Sequence, residues 1–428
     1  MENFELTDEM KGIELAIAAG SNAMITGGAG VGKSTLLKYL RKTGQNFIFL
    51  APTGMIAMGG IVKGQTIHSF FKVPVGGALA NDHVTNLNTE YTLPVLLRTG
   101  MIVIDEISMV RSDVFQTIDN TLRAFLDETK PFGGKQIVLV GDVYQLPPIV
   151  PNSTDRMMLN DEYGSKYFFG TKAFTEGGFS VFELTKIFRQ KDKTFIDILN
   201  SIKLGKVSQE QIDVLNNNVP ENTDDAVIIT TRNAIVDRYN QQELDMLMSE
   251  EHVYQAKIEG TINAKNIRAP ETLKLKVGCK IMTLINSSGF SNGTIGTYLG
   301  FDELTGSLRM KLKTGVVVNI PKNEFQNIDY KYIKGDRNIE ENVKGRMTQY
   351  PVTLAYAISV HKSQGMTFDN VNFDIGGGAF DSGQIYVALS RCTSLGGLKL
   401  SAKLRIDDIW TDERVDRFTE NYVKKVIS

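Results

Sequence analysis

Short apolar runs separated by turn signals dominate the first 185 residues of the chain. They occur at 22–26, 47–50, 101–104 and 137–140, and each is followed by a Gly, Pro, Asp or Thr turn. Runs of this kind are typical of buried parallel strands, and the helical patterns between them complete βαβ units. We therefore predict an α/β fold, whose ligands lie beyond the carboxyl ends of the strands.

The pattern changes along the rest of the chain. Residues 66–100 are rich in Gly, Asn and Thr and interrupt the alternation, which indicates a small insertion. Residues 186–250 look mainly helical, with one strand at 226–229. From about 264 to 346, short alternating strands with turns predict an all-β insertion. Residues 350–400 return to helix, strand and Gly-rich loop, so a second α/β domain resumes there.

Composition narrows the classes of protein that the chain can represent. Its 428 residues suggest about two to four domains. No apolar run approaches the roughly 20 residues that span a bilayer. The opening MENFELTDEM lacks the basic and apolar segments of a secretory signal, so we expect a cytoplasmic location. The net charge of −2 is unlike the broad basic face of a passive nucleic-acid coat, but a motor needs only a local cationic groove.

Cysteine and histidine usage argues against a fold stabilised by disulfides or by a structural metal. The two cysteines, Cys279 and Cys392, are too few for a disulfide framework or a Cys-rich zinc site. The four histidines are scattered along the chain. The functional residues are therefore expected in the loops that follow the predicted strands.

The segment Gly27-Gly-Ala-Gly-Val-Gly-Lys-Ser34 matches the phosphate-binding pattern G-x-x-x-x-G-K-S/T. Its glycines let backbone N–H groups converge on phosphate oxygens, and the helix predicted over 34–40 points its positive end at them. Lys33 would reach the β and γ phosphates, and the Ser34 hydroxyl would ligate Mg²⁺. The alternative is a chance glycine turn, which the preceding strand and the following helix disfavour.

Two carboxylates, Asp105 and Glu106, follow the strand at 101–104. Asp105 would hold Mg²⁺ through water, and Glu106 would orient and deprotonate the attacking water. An isolated acidic pair at a strand end is more often a solvated edge or a helix start. Its separation from the phosphate-binding loop is normal for a nucleotide site, which favours the catalytic interpretation.

Further polar residues are candidates for sensing the γ-phosphate. Gln145 follows the strand at 137–140, although a turn rich in Gly, Asp and Pro explains its position equally well. Arg189 and Arg391 would neutralise charge on the transferring phosphoryl group. Gln384 and Arg391 are seven residues apart, so on one helix they would share a face. For each arginine alone, a solvated surface position is the usual alternative.

Two polar segments are candidates for binding single-stranded nucleic acid, which is held through phosphates and base stacking. In the first half, Thr53, His68 and Ser69 suit phosphates, and Phe70 or Phe71 would stack on a base or lie in the core; we favour the core for at least one. In the second half, His361-Lys-Ser-Gln-Gly365 would bind the backbone and relay to the nucleotide. A lone His-Lys pair more often just faces solvent.

Taken in order, the motifs resemble those of superfamily 1B DNA helicases of the Pif (petite integration frequency) type. The resemblance runs nearly from end to end, and its motifs are GGAGVGKST, LAPTGMIA, TIHSFF, VIDEISMV, VGDVYQLPP, LTKIFRQKD, LKLKVGCKIM with NGTIG, AYAISVHKSQGMTFD and GQIYVALSRC. DEISMV alone would be shared with RecD-like and Dda-like relatives. The stretch 189–205 looks like a signature of the Pif type and makes the resemblance more specific.

The resemblance implies two RecA-like P-loop NTPase domains. The first would cover 1–180 with a wedge insertion at about 73–95, and the second 181–263 with 347–428, interrupted by an SH3-like β insertion at 264–346. It implies ATP-dependent 5′-to-3′ translocation on single-stranded DNA with unwinding of 5′-tailed duplex, and often of G-quadruplex DNA. We expect a monomeric motor that uses ATP and Mg²⁺.

Carried over by motif, the site residues fall into four groups. The catalytic group is Lys33, Glu106, Gln145, Arg189 and Arg391. The Mg²⁺ ligands are Ser34 and Asp105. The other nucleotide contacts are Gly28, Gly30, Gly32, Thr35, Gly365 and Gln384. The DNA contacts are Pro52, Thr53, His68, Ser69, Phe70, His361 and Lys362.

One departure concerns the nucleobase. The family usually has a glutamine about 17 residues before the phosphate-binding loop, where this chain has Met10, so adenine selectivity is relaxed or supplied differently. The long N-terminal extension of eukaryotic members is missing, which suggests a compact bacterial or phage-like version. An ATP-switched DNA clamp or translocase without unwinding is the main alternative. A GTP switch is disfavoured, because no Asn/Thr-Lys-x-Asp sequence for reading guanine occurs.

Overall fold

The structure of the chain is a computed structural model. It describes residues 6–53, 64–74, 78–150, 152–220, 226–262, 267, 269–285, 287, 289–290, 292–332, 339–376, 378–379 and 381–425. Residues 75–77 of the predicted wedge lie outside this set, as do 264–266, 268, 286, 288, 291 and 333–338 of the predicted β insertion. Among the described helices, none combines the length and the apolarity needed to cross a membrane.

Helices and strands alternate over the first half, as the apolar pattern predicts, and strands dominate from about residue 250 to 360. The helices are α1 (Asp8–Ala18), α2 (Lys33–Lys42), α3 (Ile67–Phe71), α4 (Thr92–Arg98), α5 (Ser112–Phe125), α6 (Ser153–Tyr163), α7 (Lys172–Glu176), α8 (Lys193–Lys203), α9 (Gln209–Asn216), α10 (Asn233–Asp245), α11 (Val360–Ser363), α12 (Gln384–Leu389) and α13 (Glu413–Tyr422). The strands of the first half are β1 (Ala23–Gly27), β2 (Phe47–Ala51), β3 (Gln65–Thr66), β4 (Met101–Ile104), β5 (Gln136–Val140) and β6 (Ser180–Leu184).

The remaining strands lie in the second half of the chain. They are β7 (Val227–Thr230), β8 (Glu251–Gln255), β9 (Lys257–Gly260), β10 (Thr272–Lys276), β11 (Lys280–Thr283), β12 (Ile295–Asp302), β13 (Ser307–Leu312), β14 (Val317–Ile320), β15 (Asn323–Tyr332), β16 (Ile339–Gln349), β17 (Val352–Leu354), β18 (Ala357–Ser359), β19 (Val371–Asp374), β20 (Leu398–Leu400) and β21 (Val423–Lys425). The chain divides into two compact units. The first comprises Met1–Phe188, Ile328–Val343 and Glu413–Ser428, and the second comprises Arg189–Asn327 and Lys344–Asp412.

The first unit is built on a seven-stranded parallel sheet with the order β21-β6-β1-β5-β4-β2-β3. Alternate side chains of β2 enter different cores, because successive residues of a strand point to opposite faces. Phe47 and Phe49 pack with α1 and α2, whereas Ile48 and Leu50 pack with α5 and the aromatic residues around it. Both faces are therefore covered, which explains the continuous apolar runs of these strands.

The predicted domain boundaries are wrong at two places in the first unit. Strand β6 (Ser180–Leu184) pairs along its whole length with β1, so the first domain does not end at residue 180. Strand β21 pairs with β6, and α13 packs into the same hydrophobic core of the first unit as Ile48 and Leu50. Residues 413–425 therefore do not belong to the second domain. Neither contact is visible in sequence because the strand partners are more than 150 residues apart.

The described part of the predicted wedge is tied to α5 and α6 by polar side chains. Asp155 and Asp113 accept the N–H groups of Ala78 at 3.1 Å and Leu79 at 3.0 Å. The hydroxyl of Thr121 accepts the N–H of Thr85 at 3.1 Å. The boundary predicted at residue 95 is wrong, because it falls within α4, whose Val95 and Leu96 are buried in the core of the first unit.

The second unit contains a smaller parallel sheet with the order β18-β7-β19-β20. Its β region is a five-stranded antiparallel sheet with the order β14-β13-β12-β11-β17, around a core that includes Leu275, Ile281 and Tyr298. The boundaries predicted at 264 and 346 are too narrow. Strand β8 pairs with β10, β9 pairs with residues 345–348 of β16, and β17 extends the sheet, so the paired strands of the second unit begin at 251 and end at 354. The insertion predicted at 264–346 is also wrong in its middle, because Ile328–Val343 belong to the first unit.

Candidate nucleotide and nucleic-acid sites

The phosphate-binding loop connects β1 to α2 and requires glycines with positive φ. Gly27, Gly30 and Gly32 have φ angles of 140°, 80° and 92°, which side chains rarely adopt. Lys33 turns back into the loop, where Nζ donates to Gly27 O at 2.6 Å and to Gly28 O at 3.0 Å. No side chain of the described residues caps α2, so its first N–H groups are directed at an anion position beside this ammonium.

The first turn of α2 also carries the predicted hydroxyl ligands. Ser34 is exposed there and Thr35 is half-buried. Exposure leaves the Ser34 hydroxyl accessible to a cation next to a bound phosphate. A Cβ on Gly27 would lie 2.4 Å from Leu184 O, so this first glycine is needed for the close approach of β6 as well as for its φ angle.

The acidic pair lies at the carboxyl end of β4, two strands from β1 in the sheet. The N–H of Asp105 donates to Leu50 O at 2.9 Å and continues the strand pairing. Burial, followed by the charge of Glu106, raises the pKa of Asp105 to about 7, although the N–H of Glu106 and the Lys33 ammonium act to lower it. The electrostatic interaction with Lys33 means that the structure brings the loop and the acidic pair together.

Glu106 has a strained backbone. Its φ of 48° and ψ of 46° lie in the left-handed region, and its N–H donates to Asp105 Oδ1 at 2.9 Å. A non-glycine residue in such a conformation costs about 1–3 kcal/mol, and strain of this kind is concentrated at functional sites. The strained backbone therefore marks Glu106 as a candidate functional residue.

Gln145 lies in the loop after β5, the strand between β1 and β4. It is 7% exposed, and its Nε2 donates to Asp142 Oδ2 at 3.3 Å. A Cβ on Gly141 would lie 3.0 Å from the backbone nitrogen of Ile107, so this loop packs directly against the segment that follows Glu106. The structure thus groups Gln145 with Glu106, as the carboxyl edge of a parallel sheet requires.

Arg189 and Arg391 belong to the second unit and lie beside each other. Arg189 Nη1 donates to Ser390 O at 3.2 Å, and burial lowers the pKa of Arg189 while Tyr386 raises it. Arg391 is 2% exposed. Its Nε donates to Val387 O at 2.9 Å and its Nη2 to the Ser390 hydroxyl at 3.0 Å. The guanidinium is therefore folded against the carboxyl end of α12.

The prediction that Gln384 and Arg391 share a helix face is wrong, because α12 ends at Leu389. Arg391 lies in the following turn, where its N–H donates to Ala388 O at 3.2 Å. Gln384 starts the helix and is 1% exposed. Gly365 follows α11 with a φ of 73°, and no described atom lies within 4 Å of the position its Cβ would take.

The candidate DNA contacts of the first unit differ in accessibility. Pro52 and Thr53 follow β2, while His68 and Ser69 are half-buried in α3. His68 Nδ1 lies 3.1 Å from Val73 O. The prediction that Phe70 contacts DNA is wrong. Its ring is 1% exposed and packs edge-on against the Phe71 ring at 5.0 Å, inside the hydrophobic core.

In the second unit, His361 and Lys362 lie in α11, directly after β18. The Ser359 hydroxyl caps this turn by accepting the N–H of Lys362 at 3.4 Å. Lys362 is exposed and suits a phosphate. Burial lowers the pKa of His361, against the charge of Asp381, so the imidazole is neutral at pH 7 and offers a hydrogen bond rather than a charge.

Sequence reasoning missed two features of these sites. Phe188 is 48% exposed, its N–H donates to Gly30 O at 2.9 Å, and its ring lies near Gly32 together with Met10. Gln190 is buried beside Arg391. The only sequence signal for either is its position next to Arg189, since an apolar residue and an amide have no spacing pattern of their own.

The fold and the loop chemistry together define the class of protein. A phosphate-binding loop, an acidic pair at the end of another strand of the same sheet and a second parallel sheet characterise a P-loop NTPase with two RecA-like domains. Residues 5–213 match the profile of PIF1-like helicases. ATP-dependent DNA helicase Pif1 of Bdellovibrio bacteriovorus is 30% identical over 414 residues, which cover 94% of this chain and 88% of the relative. The chain belongs to the PIF1-like helicase family.

Solved structures agree with this assignment. The crystal structure of Bacteroides sp Pif1 in complex with ADP-AlF4 is 35% identical, with a TM-score of 0.89 over 99% of this chain and 100% of that one. Pif1 from Candida albicans is 26% identical, with a TM-score of 0.70 over 98% and 99% of the chains. The human ATP-dependent DNA helicase PIF1 is 32% identical over 92% of this chain, which spans 60% of the human protein's length.

Proposed function

We propose that the chain is an ATP-dependent DNA helicase that moves 5′-to-3′ along single-stranded DNA and unwinds duplex. The observation that carries the proposal is the meeting of Lys33 with Asp105 and Glu106 at one edge of the first sheet. The human and Bdellovibrio relatives are ATP-dependent DNA helicases by name. Bacteroides Pif1 has been crystallised with ADP-AlF4 and with single-stranded DNA, which supports both the nucleotide and the track.

In the proposed reaction, the ATP phosphates replace the loop carbonyls as partners of Lys33. Backbone N–H groups between Gly28 and Thr35 bind the phosphate oxygens. Glu106 accepts the proton of the attacking water, and its strained backbone holds the carboxylate in place. The Ser34 hydroxyl and the Asp105 carboxylate are hard oxygen donors that fit Mg²⁺, which takes few protein ligands beside phosphates and would neutralise charge on them.

Two cations and one amide complete the proposed nucleotide site. Arg189 and Arg391 supply positive charge to the γ-phosphate. To do so, Arg391 breaks its hydrogen bond to Val387 O. Gln145, which donates a hydrogen bond to Asp142, senses the γ-phosphate. We assign Gln384 and Gly365 to the same role, sensing of the γ-phosphate. ATP binding closes the nucleotide site and hydrolysis releases it, and this alternation moves one set of DNA contacts relative to the other.

We assign the DNA contacts to residues that follow strand ends in both units. Pro52, Thr53, His68 and Ser69 follow β2 and β3 in the first unit, and His361 and Lys362 follow β18 in the second. The side-chain oxygen of Thr53 is buried without a hydrogen-bond partner among the described residues, which supports a ligand there. Contacts of this kind bind phosphates, so affinity falls as salt rises.

The domain roles follow from the same proposal. Residues 78–91, which precede α4, form the strand-separating wedge, and the hydrogen bonds of Ala78, Leu79 and Thr85 to α5 and α6 would resist the load of a duplex. The β region of the second unit, between 251 and 327 and between 344 and 354, acts as the SH3-like insertion. We propose a monomeric motor that acts on 5′-tailed duplex or G-quadruplex DNA in a bacterial or phage-infected cytoplasm, and bacterial relatives support that setting.

Unwinding of 5′-tailed against 3′-tailed duplexes tests the proposal most directly. The 5′-tailed substrate should be unwound in an ATP-dependent manner, and Lys33→Ala and Glu106→Gln should abolish the activity. Equal or 3′-preferring unwinding would contradict the polarity. ATP turnover that is the same with and without single-stranded DNA would contradict the proposal of a DNA motor. Turnover that DNA stimulates, without unwinding, would favour a translocating clamp.

A further inference from the structure

The side-chain amide of Gln190 spans the turn that carries Arg391. Gln190 is 4% exposed. Its Nε2 donates to Ser390 O at 3.0 Å and to Cys392 O at 2.9 Å. These are the carbonyls immediately before and after Arg391, and the two N–H groups of one amide satisfy both. A single buried side chain thus holds the backbone on both sides of the arginine.

Other hydrogen bonds fix the same turn from the opposite side. Phe368 N–H donates to Arg391 O at 2.9 Å, and Thr393 N–H donates to Phe368 O at 3.0 Å. The Arg391 guanidinium instead bonds to Val387 O and to the hydroxyl of Ser390, within its own helix end. The backbone of Arg391 is therefore anchored to distant segments, whereas these two guanidinium hydrogen bonds are local and can be exchanged for a phosphate.

Gln190 also joins the two arginines of the second unit. Arg189 Nη1 donates to Ser390 O at 3.2 Å, the same carbonyl that accepts from Gln190 Nε2 at 3.0 Å. Arg189 and Gln190 are consecutive and both bond to the carbonyl next to Arg391, so the position of Arg189 is coupled to the backbone at Arg391. Arg189 and Gln190 together therefore connect the two arginines through the Ser390 carbonyl.

We propose that Gln190 is a positioning residue that holds Arg391 in register for ATP hydrolysis and links it to Arg189. The proposal rests on the role given to Arg391 in the proposed function. Only a donor of two hydrogen bonds serves here, since an apolar side chain would leave two buried carbonyls without partners and release the turn. A shift of about 1 Å at a reacting group can cost about 100-fold in rate.

The test compares DNA-stimulated ATP turnover of the full chain with that of Gln190→Met, which keeps the volume and removes both donors. We expect kcat to fall at least about tenfold while KM for ATP stays the same, because the phosphate-binding loop is untouched. Gln190→Glu, which puts a carboxylate against the two carbonyls, should lose as much. The matched control is Gln241→Met, whose exposed amide bonds only locally to Asp245 at 2.7 Å and should leave kcat unchanged.

A double-mutant cycle separates positioning from general destabilisation. In an Arg391→Ala background, Gln190→Met should cause no further loss of kcat, because the group that it positions is gone. Additive losses, a change in KM alone, or full turnover in both Gln190 variants would overturn the proposal. If Arg391→Ala itself left kcat unchanged, the failure would lie instead in the role assigned to Arg391.

Discussion

The ring of Phe418 stacks on the ring of Phe169, with centroids 4.4 Å apart and an interplanar angle of 14°. Phe418 also meets Phe168, Phe174 and Tyr422 with centroids between 5.3 and 6.1 Å away. Helix α13 and strand β21 therefore attach the end of the chain to the first unit through an aromatic cluster and one sheet edge.

This cluster predicts a large effect of Phe418→Ala on stability. Phe418 is 3% exposed, and truncating a buried phenylalanine to alanine costs about 3–5 kcal/mol. Chemical denaturation should report this loss in the free energy of unfolding. Tyr91→Ala is the control, because Tyr91 is 45% exposed and its truncation should cost far less. Equal losses for the two variants would show that the cluster does not stabilise the first unit.

The strained backbone of Glu106 predicts that stability and activity respond in opposite directions. Glu106→Gly relieves about 1–3 kcal/mol of left-handed strain and adds about 0.5–1 kcal/mol of backbone entropy cost. The variant should therefore be about as stable as the unaltered chain or up to about 2.5 kcal/mol more stable, while ATP turnover falls at least about 100-fold without the proposed base.

The matched variant for this prediction is Glu106→Gln, which keeps the side-chain shape and the strain. It should lose turnover to a similar degree without any gain in stability. Thermal unfolding and DNA-stimulated ATP turnover measure the two effects separately. A clear loss of stability in Glu106→Gly would mean that the side chain contributes more to folding than its backbone costs.

Local signals explain why much of the first unit could be predicted from sequence. Strand β4 occupies the predicted residues 101–104, β2 and β5 are one residue longer at one end, and β1 is shifted by one residue at both ends. Buried parallel strands and a glycine-rich loop are recognisable because burial on both faces and positive φ restrict the residue types over a few positions. The acidic pair was predictable for the same reason, since it terminates such a strand.

Non-local contacts explain what could not be predicted. Strand β21 has three residues, and only its pairing with β6 assigns it to the first sheet. Strand β8 alternates exposed and half-buried residues and closely follows the helix α10 in the chain. Only its antiparallel pairing with β10 shows that it belongs to the β region. Gln190 acts on carbonyls about 200 residues away, and no property of residues 185–195 indicates those partners.

Burial of His361 predicts a pH dependence of stability. Because burial lowers the pKa of His361 below the ordinary 6.5, the folded chain binds this proton less readily than the unfolded chain does. The contribution of the neutral imidazole is fully present above about pH 6.5 and is lost as the pH falls toward the pKa of the folded state. His361→Gln should remove that part of the loss.

Urea unfolding at pH 7.5 and 5.5 measures this effect as the difference between two free energies of unfolding. The difference should be smaller in His361→Gln than in the unaltered chain. His83→Gln, in the first unit, controls for the removal of a histidine as such. An identical pH dependence in His361→Gln and the unaltered chain would show that Asp381 offsets the effect of burial.

The side chains beside the phosphate-binding loop predict weak discrimination between nucleobases. Met10 Cε would lie 2.8 Å from a Cβ on Gly32, and the nearest Phe188 ring atom 3.6 Å from it. A thioether and a phenyl ring offer contact area without directional hydrogen bonds, and apolar contact alone rarely discriminates by more than about 100-fold. We expect kcat/KM for GTP to lie within about tenfold of the value for ATP. Met10→Gln, which adds an amide, should raise the preference for ATP, and Lys33→Ala should abolish turnover of both nucleotides. Strict use of ATP by the unaltered chain would mean that other groups read the adenine edge.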